Sequence, residues 1–270
     1  MNEQQFLQNY SQDQFDRPSI AADIATFSLR TVKKDAYRAS PELKLCVLLI
    51  RRGEHPYLNH WALPGGFLRR NETIDECAFR ELREETGLKP AAMLWVDTFS
   101  QPDRDPRGWI ISHAYASVIA EEDAKILGGT DAAEARWFEV VFRETGENLW
   151  NLELRSGETV LTAVLRSAPS ATAKTRFTIV ENEGLAFDHA AILAGALETL
   201  RRESGNMDTV FAFLPEKFTL FALQKVQETL MGITLLTANF RRKIADLVEE
   251  TEEFTEKAGH RPARLFRKKG

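Results

Sequence analysis

GFLRRNETIDECAFRELREETGL, residues 66–88, is the stretch from which the rest of this chain is read. Nine of its positions obey one spacing rule, G-x(5)-E-x(7)-R-E-U-x-E-E-x-G-U, where U is a bulky aliphatic residue. They are Gly66, Glu72, Arg80, Glu81, Leu82, Glu84, Glu85, Gly87 and Leu88. The segment predicts a helix over residues 71–86, with Asn71 as N-cap and Gly87 as C-cap. Ile74, Cys77, Ala78, Glu81, Glu85 and Leu88 fall on one stripe at the helical period. Apolar residues open that stripe, so it faces the fold. Glu81 and Glu85 then stand where the pattern calls for apolar side chains, and Glu84 lies at the edge of the same face. Inward carboxylates are costly unless a cation compensates them. Several oxygen ligands suit Mg²⁺ or Mn²⁺, whereas zinc prefers His and Cys. A generic run of Glu and Arg is more often a solvated helix with i,i+4 ion pairs. The inward stripe argues against that reading here.

The surrounding chain is that of a globular protein. Of its 270 residues, 43% are apolar, enough for a packed core, and 28% are charged. Cys46 and Cys77 sit in apolar-periodic segments and read as buried hydrophobes, which suits a reducing, cytoplasmic setting. Residues 1–17 are polar and Gln-rich, lack the apolar core of a signal peptide, and are expected to form a flexible arm. No apolar run approaches the ~18 residues of a membrane span, so no membrane partner is expected. A net charge of -5 gives the molecule no overall bias toward nucleic acid, so a nucleic-acid partner needs a local basic patch.

Strands are expected over residues 20–31, 43–51, 109–120 and 136–142, with a strand broken by turn residues at 61–68. A hairpin is expected over 152–165, turning at Ser156-Gly157. The composition then shifts to a helix at 187–202, a polar break at 203–208, and a compact segment to the end. That segment reads as helix (219–230), turn at Gly232, helix (237–249), acidic stretch, then a basic β-like tail. The fold class is α/β.

The motif at 66–88 resembles that of the Nudix hydrolases, and the resemblance extends over about residues 19–179. It implies an α/β/α sandwich with a mixed sheet, and hydrolysis of a diphosphate that links a nucleoside to a second moiety. By the resemblance, Glu81, Glu84 and Glu85 hold divalent ions, Mg²⁺ or Mn²⁺, and Gly66 adds a backbone oxygen. Arg80 orients a metal-binding glutamate and Glu72 pairs with Arg80. The metals neutralise the diphosphate and acidify an attacking water. The general base stays open between a loop glutamate such as Glu134 and one of the motif glutamates. Residues 100–108, SQPDRDPRG, with the following WIISHAYA, resemble the substrate loop of Nudix proteins acting on ADP-ribose. Pro102 and Pro106 are the candidates for a proline that marks such loops. Arg104 and Arg107 are the candidates for phosphate or ribose oxygens, against a reading as solvated charges on a Pro-rich loop. His113 and His189 read as ordinary, partly buried residues.

FTLFALQ (218–224), ANFRRKI (238–244) and GHRPARLFR (259–267), with FDHAAILAGALETLRR (187–202), resemble Nudix-related transcriptional regulators of NAD metabolism. In those proteins the Nudix domain senses ADP-ribose and a small C-terminal winged-helix domain binds DNA. The implied division is an arm at 1–17, a Nudix domain at 18–185, a connecting helix at 186–205 and a winged-helix-like domain at 206–270. Thr237 would N-cap a helix that buries Phe240, Ile244 and Leu247 and turns Asn239, Arg242 and Lys243 outward, with Arg241 near the boundary. Those residues, with Arg261 and Arg264 in the tail, are the candidate contacts to double-stranded DNA. The acidic run at 249–253 would repel a duplex lying beside it. The leading expectation is a metal-dependent pyrophosphatase converting ADP-ribose to AMP and ribose 5-phosphate. The alternative is an ADP-ribose-sensing regulator in which hydrolysis is secondary, and one chain can do both. A third class is a hydrolase whose C-terminal module serves packing or dimerisation alone. A homodimer is the expected assembly.

Overall fold

The computed structural model describes residues 2–11, 15–32, 42–126, 134–170, 174–255 and 262–270. The N-terminal arm holds a short helix, α1 (Glu3–Asn9), closed by a capping box between Asn2 and Gln5, and none of its residues is buried.

The centre is a strand with two apolar faces, β1 (Ser19–Val32). Ala22 and Ile24 point to one side, Ala25, Phe27 and Leu29 to the other, as the strand period of two requires. β1 pairs antiparallel with β2 (Glu42–Arg51) and with β4 (Gly65–Phe67), and β2 pairs with the two-residue β3 (Trp61–Ala62). The helix of the glutamates, α2 (Ile74–Thr86), follows. β5 (Ala92–Phe99) and β6 (Ile110–Val118) form the next antiparallel pair. β6 lies parallel to β1, while every other pair is antiparallel, so the sheet is mixed. β7 (Glu134–Gly146), β8 (Leu149–Ser156), β9 (Thr159–Pro169) and β10 (Thr175–Glu183) complete ten strands in the order β10-β9-β8-β7-β2-β1-β6-β5, with β3 and β4 off that path.

One face of this sheet packs on α2, where Ala22, Ile24 and Tyr115 meet Cys77, Ala78 and Leu82. The other packs on α3 (His189–Glu203), whose Ala190, Leu193, Ala194 and Leu197 join the main core. The layers are therefore α/β/α. Cys46 and Cys77 are both buried and free, and burial pushes each thiol up to about 12.

Beyond α3 come α4 (Met207–Phe211), α5 (Leu220–Met231) and α6 (Thr237–Ile244), then a two-stranded sheet of β11 (Val248–Phe254) and β12 (Arg264–Lys268). Phe218 and Phe266 exchange backbone hydrogen bonds of 2.9 and 2.8 Å, tying this ribbon to the start of α5. Phe213, Leu223, Val226, Phe240 and Ile244 belong to the same buried cluster as α3 and the large sheet. Among the described residues no helix is long and apolar enough to cross a membrane.

Several boundaries differ from the sequence reading, each for a local reason. α2 starts at Ile74, because Thr73 and Glu76 form a capping box that outcompetes Asn71. The helix expected over 237–249 ends at Ile244, and the acidic run is strand β11, paired with the basic tail. Leu236, not Thr237, is the N-cap of α6. Leu247 falls past the helix end and is 38% exposed. Glu134 opens strand β7 and is not a loop residue. β5, β10 and α4 were not anticipated.

Candidate functional site

The turn from β4 into α2 brings the glutamates to the sheet. A Cβ on Gly66 would stand 2.5 Å from the Glu81 carboxyl, so only glycine lets this strand lie against the helix. The neighbouring Gly65 N–H donates to Glu85 Oε2 at 2.9 Å. At the far end, Gly87 takes the left-handed conformation that closes α2, and its N–H donates to the Arg83 carbonyl.

Arg80 organises the acids around it. Its Nε and Nη2 donate to Glu72 at 2.9 and 2.6 Å, and its Nη1 to Glu81 at 2.5 Å and Glu84 at 3.2 Å. The Arg80 hydrogen bonds hold the Glu72 carboxyl down at about 2. Glu72 reaches Arg80 because α2 begins after it, leaving its side chain free to fold back along the helix. Glu81 and Glu85 face a cavity of about 600 Å³, whose wall also includes Asp23, Arg52, Arg107 and Phe187. Burial pushes the Glu85 carboxyl up to about 8 against the Gly65 hydrogen bond, with Glu81 and Asp23 adding to the shift. Glu84 stands apart, its side chain 47% exposed, bonded to Arg69 and Arg80.

Among the described residues no group of three acidic, histidine or cysteine side chains is arranged to hold a metal ion. The donor set still suits a hard cation. The Glu81 and Glu85 carboxylates line one cavity with Gly66, and the half-buried Glu85 carboxylate gains from any positive charge placed against it. Glu84 joins such a set only on leaving Arg69 and Arg80.

The loop arginines occupy unexpected places. Arg104 is 5% exposed and grips Asp188 with two hydrogen bonds of 2.8 and 2.6 Å, while its Nη2 lies 3.4 Å from Asp23. Its Nε and Nη2 are thus engaged by protein carboxylates on the cavity wall. Arg107 is held by Asp105 at 3.0 and 2.7 Å and lies 5.1 Å from the Phe67 ring and 5.3 Å from that of Phe187. His189 is buried in the same wall. The Leu63 N–H donates to its Nδ1 at 2.8 Å, and its Nε2 is 3.6 Å from Asp23. Burial lowers its pKa, so the ring is a neutral acceptor fixing the backbone beside the cavity. Glu134 pairs with Arg136 and with Arg51 and does not line the cavity. Pro102 and Pro106 line a separate groove with Trp109 that shares Asp105 and Ile110 with the cavity.

Sequence reasoning overlooked Asp23, Arg52, Asp105, Phe187 and Asp188, and read His189 only as an ordinary, partly buried residue. Asp23 carried a signal, being an acid set between apolar residues, Ala21, Ala22, Ile24 and Ala25, in the first strand. The others are recruited from segments distant in sequence.

In the C-terminal part, Asn239, Arg241, Arg242 and Lys243 are all exposed on α6, and Arg242 Nη2 donates to Asn239 Oδ1 at 2.8 Å. Arg241 lines a groove with Thr219, Phe221, Glu250 and Arg264. Arg264 and Arg267 pair with Glu250 and Glu249 across the ribbon. The acidic run is therefore the tail's own counter-charge. Arg261 lies outside the described residues.

Residues 36–141 match the family profile described as NUDIX domain, and residues 210–267 that described as NrtR DNA-binding winged helix domain. The chain is 28% identical over 270 residues to the ADPR responsive transcriptional repressor NtrR of Acinetobacter baylyi, covering 98% of this chain and 88% of that one. It is 42% identical over 94 residues to the ADP-ribose pyrophosphatase of Methanocaldococcus jannaschii, covering 35% of this chain and 54% of the relative. Among solved structures, a MutT/nudix family protein from Enterococcus faecalis superposes with a TM-score of 0.72 at 27% identity, covering 100% of this chain and 94% of that one.

Proposed function

We propose that this chain, a Nudix domain joined to an NrtR-type winged-helix domain, is an ADP-ribose-responsive DNA-binding regulator. The observation that carries the reading is the placement of α3. Phe187 and His189, at its start, form part of the cavity wall, and Asp188 between them holds Arg104 of the 100–108 loop. Further along, Leu197 and Leu200 of α3 share one buried cluster with Leu223, Val226 and Leu230 of α5. A ligand that favours one setting of Phe187 and Arg104 therefore biases the helix on which the winged-helix part is packed.

DNA would meet α6 and the β11–β12 ribbon. Asn239 and Arg242 suit base edges, while Lys243, Arg241 and the tail arginines suit phosphates. A homodimer would present two such surfaces to a two-fold site, which light scattering on the full chain tests.

A second reading, hydrolysis of ADP-ribose to AMP and ribose 5-phosphate, is supported by the unbroken nine-position motif and by the likeness to an ADP-ribose pyrophosphatase. Glu81, Glu85 and the Gly66 carbonyl would hold Mg²⁺ or Mn²⁺, with Glu84 added on release from Arg69. When bound, the cation supplies charge neutralisation for the diphosphate and activation of water. Arg80 aims Glu81 through its hydrogen bond, and Glu72 anchors Arg80. On this reading Glu84→Gln and Glu85→Gln each lower turnover of ADP-ribose by roughly a hundredfold or more. Rates within a few-fold of wild type in both variants would overturn the metal-site assignment. The regulator reading is tested separately, by DNA affinity with and without ADP-ribose.

A further inference from the structure

Four arginines line the cavity: Arg52, Arg69, Arg104 and Arg107. Three have carboxylate partners in the protein, Arg69 with Glu84, Arg104 with Asp188 and Asp23, and Arg107 with Asp105. Arg52 makes no ion pair among the described residues. Its Nε donates to the Pro56 carbonyl at 2.7 Å, and its two terminal amino groups have no hydrogen-bond partner there.

The residue is nevertheless held firmly. It follows the last residue of β2, its backbone N–H donates to His60 O at 2.9 Å, and its carbonyl accepts from Asn59 N at 2.9 Å. Its guanidinium carbon lies 4.8 Å from the centre of the Phe187 ring, the same ring that Arg107 approaches to 5.3 Å from the loop. Phe187 itself has a φ of 51°, a backbone setting that a bulky residue rarely adopts. Strain of this kind persists where the surrounding structure imposes it, and it gathers at ligand sites. Two guanidinium groups, Arg52 half-buried and Arg107 exposed, thus share one aromatic ring on one wall. Glu85 and Glu54 line the same cavity without pairing with Arg52. Burial, and next the charge of Arg107, hold the Arg52 pKa below its ordinary value. An anion between the two arginines relieves that repulsion. The forked donor set of a fixed guanidinium matches a phosphate better than the single point of a lysine.

We infer that Arg52 is the phosphate-reading residue of the cavity, its free amino groups receiving a phosphoryl oxygen of a diphosphate beside Arg107, with Phe187 as the platform that fixes its plane. The inference rests on the proposed function only for the identity of the larger ligand, since the shared chemistry is a diphosphate. Through Phe187, the contact would fall on the residue that leads into α3.

The test is calorimetric titration of the full chain with Mg²⁺ present, using inorganic pyrophosphate and a methylene-bridged, non-hydrolysable analogue of ADP-ribose. Wild type, Arg52→Gln and Arg52→Lys are compared. Arg52→Gln is expected to weaken both probes by roughly tenfold to a hundredfold, and Arg52→Lys by less, since it keeps the charge and loses the fork. A thermal melt confirms that Arg52→Gln folds, and Arg52→Lys carries the test if it does not. If wild type binds pyrophosphate but not the ADP-ribose analogue, and Arg52→Gln loses pyrophosphate, the ligand identity falls while the role of Arg52 stands. Equal pyrophosphate affinity in wild type and variant, or no binding by wild type, overturns the inference.

Discussion

A carboxyl that the fold buries has to be matched by a proton or a cation, and Glu85 is that residue here. Its carboxyl is pushed up to about 8, chiefly by burial and further by Glu81 and Asp23. In the unfolded chain it titrates near the ordinary glutamate value of about 4.3. Because the folded value is the higher one, its protonated form stabilises the fold fully below pH ~4, and this contribution is lost as pH rises through about 8. In EDTA, Glu85→Gln is therefore expected to melt higher than wild type at pH 9, by roughly 5 °C or more, and to lose that advantage at pH 5. A difference independent of pH would contradict the buried, strained carboxylate. The inward placement of Glu81 and Glu85 was legible from the helical stripe alone, since two acids interrupted an apolar row. The role of Arg104 was not. Its partner Asp188 lies 84 positions away and nothing in either local pattern links them. An arginine in a polar loop reads as solvated until the fold supplies a buried carboxylate.

At the scale of elements, sequence carried furthest where a local device acts alone. Gly87 ends α2 and the hairpin turns at Ser156-Gly157, both set by residues needing a left-handed backbone. It failed where pairing with a distant segment decides. The run Glu249–Glu253 looked like a continuation of a helix or a loop, yet it becomes strand because the basic tail offers both a backbone ladder and opposite charge. That pairing gives Arg264 and Arg267 carboxylate partners within the protein. Replacing Glu249 and Glu250 together by Gln is expected to free Arg264 and Arg267. Affinity for DNA of any sequence should then rise several-fold at low salt, and the slope of log affinity against log salt should steepen by about 1 to 2. An unchanged slope would show that the ribbon arginines never reach phosphates. The ion pairs themselves are exposed, so their loss should cost the fold little.

For the whole molecule, the α/β/α plan and the C-terminal winged-helix part were both implied by the resemblance to known families, and both are present. What composition could not convey is that the two parts share a single buried cluster through α3, from Phe27 and Leu49 in the sheet to Phe240 and Ile244 beyond it. That continuity makes the cavity wall and α6 parts of one packed body. The measurement that tests this most directly is fluorescence anisotropy of a labelled duplex from the promoter of an NAD- or pentose-related gene. The full chain is titrated onto it, with and without ADP-ribose, against a scrambled duplex and against Arg242→Ala. The account predicts that affinity for the promoter falls steeply with salt and weakens in Arg242→Ala, and that ADP-ribose shifts it about fivefold or more. Equal affinity for both duplexes, unmoved by ADP-ribose and by Arg242→Ala, would contradict it.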